Sequence, residues 1–161
     1  LYDRAERGVD LSYSPEDMQV GRDFRAKVGD DGPVADIAAV VKELQSAGKV
    51  GTVGYCWGGT LSFLAATRIE GVSGSVVYYG GQIVPYKDET AKAPLQMHLG
   101  DMDAGIPMED VEQIKAAQPQ ADVHVYHADH GFNCDHRSQY DEESCKLARE
   151  RSLAFFAQNV G

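Results

Sequence analysis

The sequence predicts an α/β domain with a mostly parallel sheet and helices on both of its faces. Two observations carry that expectation. Short β-type runs alternate with stretches whose apolar residues recur at helical spacing. Candidate reactive side chains also stand directly after strand-like runs, where parallel sheets gather their chemistry. Right-handed crossovers then distribute the helices over both faces.

Taken in order, residues 1–31 contain no strand-like apolar run. In SPEDMQVGRDFRAKVG, Ser14 is placed as a helix N-cap, with Pro15 at the first helical position and acids in the first turn. Its sparse apolar residues make that helix superficial. In DDGPVADIAAVVKELQSAGK, Val34, Ile37, Ala38, Val41 and Leu44 share a helical face, and Gly48 stands where a C-terminal glycine belongs. A strand at 50–56 ends in glycines, and a helix over 57–68 carries Leu61, Leu64 and Ala65 on one apolar face. Strands follow at 74–79 and 94–99, then a helix over 108–117 and a strand of period two at 121–127. The tail, 137–158, predicts a long charged helix with Leu147, Ala148, Ala154 and Phe155 on its inner side. No repeat, low-complexity tract or linker interrupts the chain, so one domain over 1–161 is expected.

The bulk composition narrows the function classes. Of 161 residues, 43% are hydrophobic and 25% charged, ordinary for a globular protein, and the formal net charge is −10. That charge argues against nucleic acid or an anionic membrane as partner. No apolar run approaches the roughly 20 residues of a membrane helix. Three cysteines, Cys56, Cys134 and Cys145, form no CxxC pair and suit a reducing cytoplasm. A small molecule is the expected partner, bound by a monomer or homodimer. The opening LYDRAERG reads like the middle of a domain.

The chemistry concentrates first at GTVGYCWGGT. Gly54-Tyr55-Cys56-Trp57-Gly58 matches the G-x-nucleophile-x-G turn that presents a serine in α/β-hydrolases, with a thiol in its place. Small flanking residues are needed because the nucleophile sits in a tight, strained strand-to-helix turn. The following helix offers free N–H groups that favour a thiolate and a developing oxyanion, with the Trp57 N–H as one donor. The plainer alternative is a small buried cysteine in a glycine-rich βα turn.

A cysteine nucleophile needs a base and a group to orient it. His98 and His124 lie inside strand-like runs, where histidine is usually structural; His127 ends its strand, and His136 opens the final helix. His130, in Ala128-Asp129-His130-Gly131-Phe132, lies between the last strand and the last helix, where the chain order nucleophile, acid, histidine puts the base. The acid then comes from GDMDAGIP after the preceding strand. Asp101 and Asp103 compete there, and Asp103, ahead of the Ile106-Pro107 loop, is preferred. HADHGFNCDH is rich in ligand-type residues but lacks the paired spacings of zinc sites, so no metal and no cofactor are expected.

With these motifs in hand, the chain resembles the dienelactone hydrolase family, a branch of the α/β-hydrolases, over essentially its whole length. The marks are Leu1-Tyr2 as the end of a PDLY segment, GYCWGG, VVYYGG, GDMDAGIP and ADHGFNCD. The resemblance implies an α/β-hydrolase fold, with Cys56 as nucleophile, Asp103 as orienting acid and His130 as base. It also implies that the chain corresponds to about the C-terminal two-thirds of a family domain, without the early strands and the second oxyanion donor. Two arginines are implied for a substrate carboxylate: Arg22 stands in the first region, but Asn133 and Cys134 occupy the second, with Arg137 displaced from it. Dienelactone itself is therefore not the expected substrate.

The expected activity is hydrolysis of a small ester or lactone through a thioester, with Tyr78, Tyr79, Trp57 and Phe132 available to line the cleft. A thiolate leaves more readily than an alkoxide, so enol lactones, whose leaving group is a stabilised enolate, suit a cysteine best. The alternative function is a non-catalytic module that uses the same cavity to hold a ligand.

Overall fold

The computed structural model describes residues 1–161. Helices α1 (Pro15–Val28) and α2 (Asp31–Leu44) precede β1 (Val50–Tyr55), α3 (Trp57–Arg68), β2 (Val72–Tyr78), β3 (Leu95–Gly100), α4 (Met108–Ala117), β4 (Asp122–Tyr126) and α5 (Glu142–Asn159). Short 3-10 turns lie at Tyr2–Arg4 and Val84–Tyr86. The strands form one parallel sheet in the order β1-β2-β3-β4. α1 starts as its sequence dictates, with Ser14 Oγ accepting the Asp17 N–H at 3.1 Å and Gly21 its one buried residue.

The β1–β2 ladder shows how both faces are covered. Gly51 pairs with Gly74, and Thr52 with Ser75. On one face, Thr52 Oγ1 bonds both Ser62 of α3, at 2.8 Å, and Ser75, at 2.7 Å. On the other, the hollows at Gly51 and Gly74 receive the Phe156 and Phe155 rings of α5. A Cβ would lie 2.8 Å from the first ring and 3.0 Å from the second. Because side chains alternate along a strand, α3 and α5 occupy opposite faces of the sheet.

Several elements depart from expectation. α2 ends at Leu44 through Gln45, and Gly48, at φ 144°, serves the turn into β1 rather than the helix cap. α3 buries not one face but ten of its twelve residues, because it lies between the sheet and α2. α5 begins at Glu142, leaving residues 137–141 to the preceding loop, and its inner side is not the one its leucines suggest. Leu147 and Leu153 are 42% and 59% exposed and Ala154 is exposed, whereas Ser144, Ala148 and Ser152 are buried. The glycine hollows set that rotation by accepting the two phenylalanines. Ser152 then meets the Tyr78 hydroxyl at 2.8 Å and His98 Nε2 at 2.9 Å. β4, at the sheet edge, shows no clean alternation: Val123, His124 and Val125 are all half-buried.

His98 is structural, as its place inside a strand suggests. It is fully buried, stacks on His124, and meets the Tyr126 hydroxyl through Nδ1 at 2.7 Å. Burial pushes its pKa down to about 3, so the ring is neutral at ordinary pH.

The rotation of α5 makes a direct prediction for urea unfolding. Leu147→Ser and Leu153→Ser should each change stability by less than about 0.5 kcal/mol, as surface positions do. Ala148→Leu should cost about 1–3 kcal/mol by overpacking. The reverse ranking would contradict the described packing.

Candidate active site

Gly54 cannot carry a side chain: a Cβ there would lie 1.8 Å from the Gly58 carbonyl oxygen. Gly59 is equally constrained, its hypothetical Cβ 2.6 Å from the Tyr78 carbonyl oxygen. These two approaches press β1, α3 and β2 together and force a sharp reversal at Cys56. Cys56 takes φ 55°, a left-handed conformation costly for a residue with a Cβ. The other non-glycine residue at positive φ, Tyr79 at 37°, follows β2 and packs against the His130 ring at 5.1 Å. Both strained positions therefore adjoin the same imidazole.

Asp103 follows β3 and is buried; His130 follows β4. Their side chains meet at 2.7 Å from His130 Nδ1 to Asp103 Oδ2, while Asp103 Oδ1 accepts the Gly105 N–H at 2.8 Å. A carboxylate only accepts, so Nδ1 carries its proton and Nε2 is left free to act on the thiol. Burial alone would lower the His130 pKa. The bonds to Asp103 and Cys56 outweigh it, and the pKa is pushed up to about 9. At Cys56, burial alone would raise the thiol. The His130 hydrogen bond and charge, the Trp57 N–H and the more distant Arg137 hold it below its ordinary value instead. Solvent nevertheless reaches Cys56, which is exposed at the floor of the cleft. Each group thus shifts the other, the thiol downward and the imidazole upward.

The competing residues lie elsewhere. Asp101 pairs with exposed His127, 3.1 Å from Nδ1, and His136 sits on the surface 3.8 Å from Asp135. No group of three or more His, Cys, Asp or Glu side chains is arranged to hold a metal ion.

The thiol opens into a cleft of about 1140 Å³, a size that suits small molecules. Tyr79 and Trp57 line it, but two other expected lining residues do not. Phe132 is fully buried in the core. Tyr78 points to the α5 face, where it bonds Ser152 and lines a separate hollow of about 320 Å³ with Val53, Leu153 and Phe156. The alternation of β2 decides this: Tyr79, one residue on, faces the cleft.

Three arginines reach the cleft wall: Arg22, Arg25 and Arg137. Arg22 is bonded to Gln19, at 2.8 Å from its Nη2. Arg25, one helical turn further along α1, lies over the Trp57 ring at 5.8 Å. Its i, i+3 relation to Arg22 was the legible signal that it shares this face. Arg137 arrives despite its displacement in sequence. Turns from Gly131 to Cys134 and from Cys134 to Arg137 fold the loop back, and its guanidinium covers Gly131 and the Tyr13 ring. Gly131, at φ 85°, admits that approach, since a Cβ there would lie 2.7 Å from Arg137 Nη1.

Comparison with known proteins identifies the family and the fold. The sequence profile of the dienelactone hydrolase family matches residues 1–160. A carboxymethylenebutenolidase from Pseudomonas putida is 36% identical over 134 residues, which cover 77% of this chain and 56% of the relative. A Synechocystis relative is 28% identical over 97% of this chain and 71% of its own length. The chain thus spans between about half and three-quarters of the curated relatives it matches. Among solved structures, a dienelactone hydrolase homologue from Klebsiella pneumoniae superposes with a TM-score of 0.84 at 29% identity, over 98% of this chain and 72% of that one. A Pyrococcus furiosus esterase, 16% identical, shares the fold with a TM-score of 0.63 over 81% of this chain and 63% of its own.

The lowered thiol and raised imidazole make a pH prediction. Alkylation of Cys56 by iodoacetamide should inflect below the roughly 8.5 of an ordinary thiol. His130→Gln removes the hydrogen bond and the charge but leaves burial, so the inflection should move above that value. Cys134 and Cys145 serve as internal references, and an inflection unmoved by His130→Gln would refute the coupling.

Proposed function

From a chain that belongs to the dienelactone hydrolase family, we propose a hydrolase of small esters or lactones that works through Cys56, His130 and Asp103 and a thioester intermediate. The observation that carries this reading is the alignment of a strained Cys56, at the start of α3, with an imidazole held by buried Asp103. The domain over 1–161 supplies the nucleophile, its base and one oxyanion donor.

The Cys56 thiolate attacks the substrate carbonyl, and the oxyanion accepts a hydrogen bond from the Trp57 N–H. His130, as imidazolium, gives its Nε2 proton to the departing oxygen when the tetrahedral intermediate collapses to the thioester. Now neutral, the imidazole takes a proton from water, whose oxygen attacks the thioester carbonyl. The second collapse expels thiolate, regenerates the ion pair and releases the acid. Asp103 keeps Nδ1 protonated throughout and stabilises each imidazolium.

Thiolate departs more easily than an alkyl alkoxide, so the first tetrahedral intermediate of a simple alkyl ester tends to revert. Enolate or phenolate leaving groups escape this reversal. Arg25, over the Trp57 ring, and Arg137, over the Tyr13 ring, both line the cleft and favour a substrate with its own carboxylate. On this reading Arg137 supplies the second guanidinium that Asn133 and Cys134 do not.

Acid-quenched wild-type protein treated with p-nitrophenyl acetate should carry one acetyl adduct by intact mass, lost in Cys56→Ala. An adduct that survives in Cys56→Ala would remove the thioester from the mechanism. In steady-state assays, Arg25→Gln and Arg137→Gln should each raise KM about tenfold for a carboxylated aryl ester and leave a neutral one nearly unchanged. Equal effects on both esters would rule out carboxylate recognition.

A further inference from the structure

Asp30 is a half-buried carboxylate outside the Cys56–His130–Asp103 line. It stands at the N-cap position of α2, where aspartate ordinarily accepts the helix's own free N–H groups. Its side chain makes no such bond. Instead Oδ1 accepts the Trp57 indole N–H at 2.6 Å, and Oδ2 accepts the Tyr86 hydroxyl at 2.8 Å. Arg25 Nη2 lies 3.9 Å from the same Oδ1 while its guanidinium covers the Trp57 ring. One carboxylate thereby joins the α1–α2 junction, the first residue of α3 and the turn at Val84–Tyr86. The bond to Asp30 also holds the Tyr86 phenol above its ordinary pKa.

What is tied down is the residue directly after the nucleophile. The indole is 8% exposed and stacks on Tyr2 at 5.9 Å, so the ring is held on two sides. A ring clamped in this way anchors the Trp57 Cα through its Cβ, and the Trp57 backbone N–H is the group that faces the thiol. We propose that Asp30 is a positioning residue: by holding the Trp57 indole it fixes the first turn of α3 and keeps the Trp57 N–H aligned with the oxyanion. The inference rests on the hydrolase reading above. A reacting geometry displaced by about 1 Å can cost roughly a hundredfold in rate.

The protein contains a single tryptophan, so its fluorescence reports the indole directly. Three readouts on the full chain separate the roles: tryptophan emission, the single-turnover acylation rate with p-nitrophenyl acetate, and the high-pH plateau of Cys56 alkylation by iodoacetamide. Alkylation is a displacement at carbon with no oxyanion, and on its plateau the thiol is fully ionised. Asp30→Ala should shift the emission to the red, slow acylation roughly tenfold to a hundredfold, and leave plateau alkylation within about twofold. Asp30→Asn, which retains an acceptor for the indole, should recover most of the acylation rate. Tyr86→Phe, which removes one of the two ties with little change of volume, should give a smaller loss in the same direction and serves if Asp30→Ala does not fold. Unchanged emission, unchanged acylation, or acylation and alkylation falling together would each overturn the proposal. A wild-type protein that is not acylated at all overturns the hydrolase reading and this proposal with it. An acylated wild type with an unaffected Asp30→Ala overturns the proposal alone.

Discussion

The close approach of β1, α3 and β2 at Gly54 and Gly59 is the constraint on which the rest of the molecule depends. Neither position has room for a Cβ, so the helix can begin directly beneath the strand end. That compression places Cys56 at positive φ, at the N-cap of α3 and beside the Trp57 N–H. A backbone conformation costing of order 1–3 kcal/mol persists only where its surroundings fix it. Here they do: α3 is buried over almost its entire surface, and the sheet beneath it is closed by α5. The stability of the core is what holds the strain in place.

The electrostatics follow from the same arrangement. Burial opposes charge at both Cys56 and His130, yet each is drawn to its ionised form by the other, and His130 also by Asp103. Two neighbouring charges of opposite sign thus offset a desolvation that neither would overcome alone. His98 presents the converse case within the same sheet. It has neutral hydrogen-bond partners in Tyr126, Gln96 and Ser152, and burial prevails.

Much of this was legible in the sequence, because its strongest signals are local. A glycine-flanked turn, a histidine after the last strand and an aspartate after the preceding one each follow from the βα repeat, and α3 and α4 occupy the residues their apolar spacing predicts. What was illegible depends on contacts between distant elements. The inner side of α5 is set by hollows about a hundred residues earlier in the chain, so its exposed leucines mislead a reading by periodicity. Tyr78 and Phe132 were plausible cleft residues by type and neighbourhood, but the pleat and the core claim them. Arg137 was judged by sequence offset, and two successive turns cancel that offset. Asp30 carried no signal, because an aspartate before a helix reads as a cap.

The paired hollows at Gly51 and Gly74 bear on the order in which the molecule can assemble. A parallel ladder can form in neighbouring registers, and a slip of one residue exchanges the two faces of a strand. In β1 that slip would turn Val50 or Thr52 toward the Phe156 ring and carry Cys56 about 3.3 Å along its axis. The rings that discriminate between registers belong to α5, which follows every strand in the chain. The docking of α5 fits only the register in which Gly51 and Gly74 face its two phenylalanine rings.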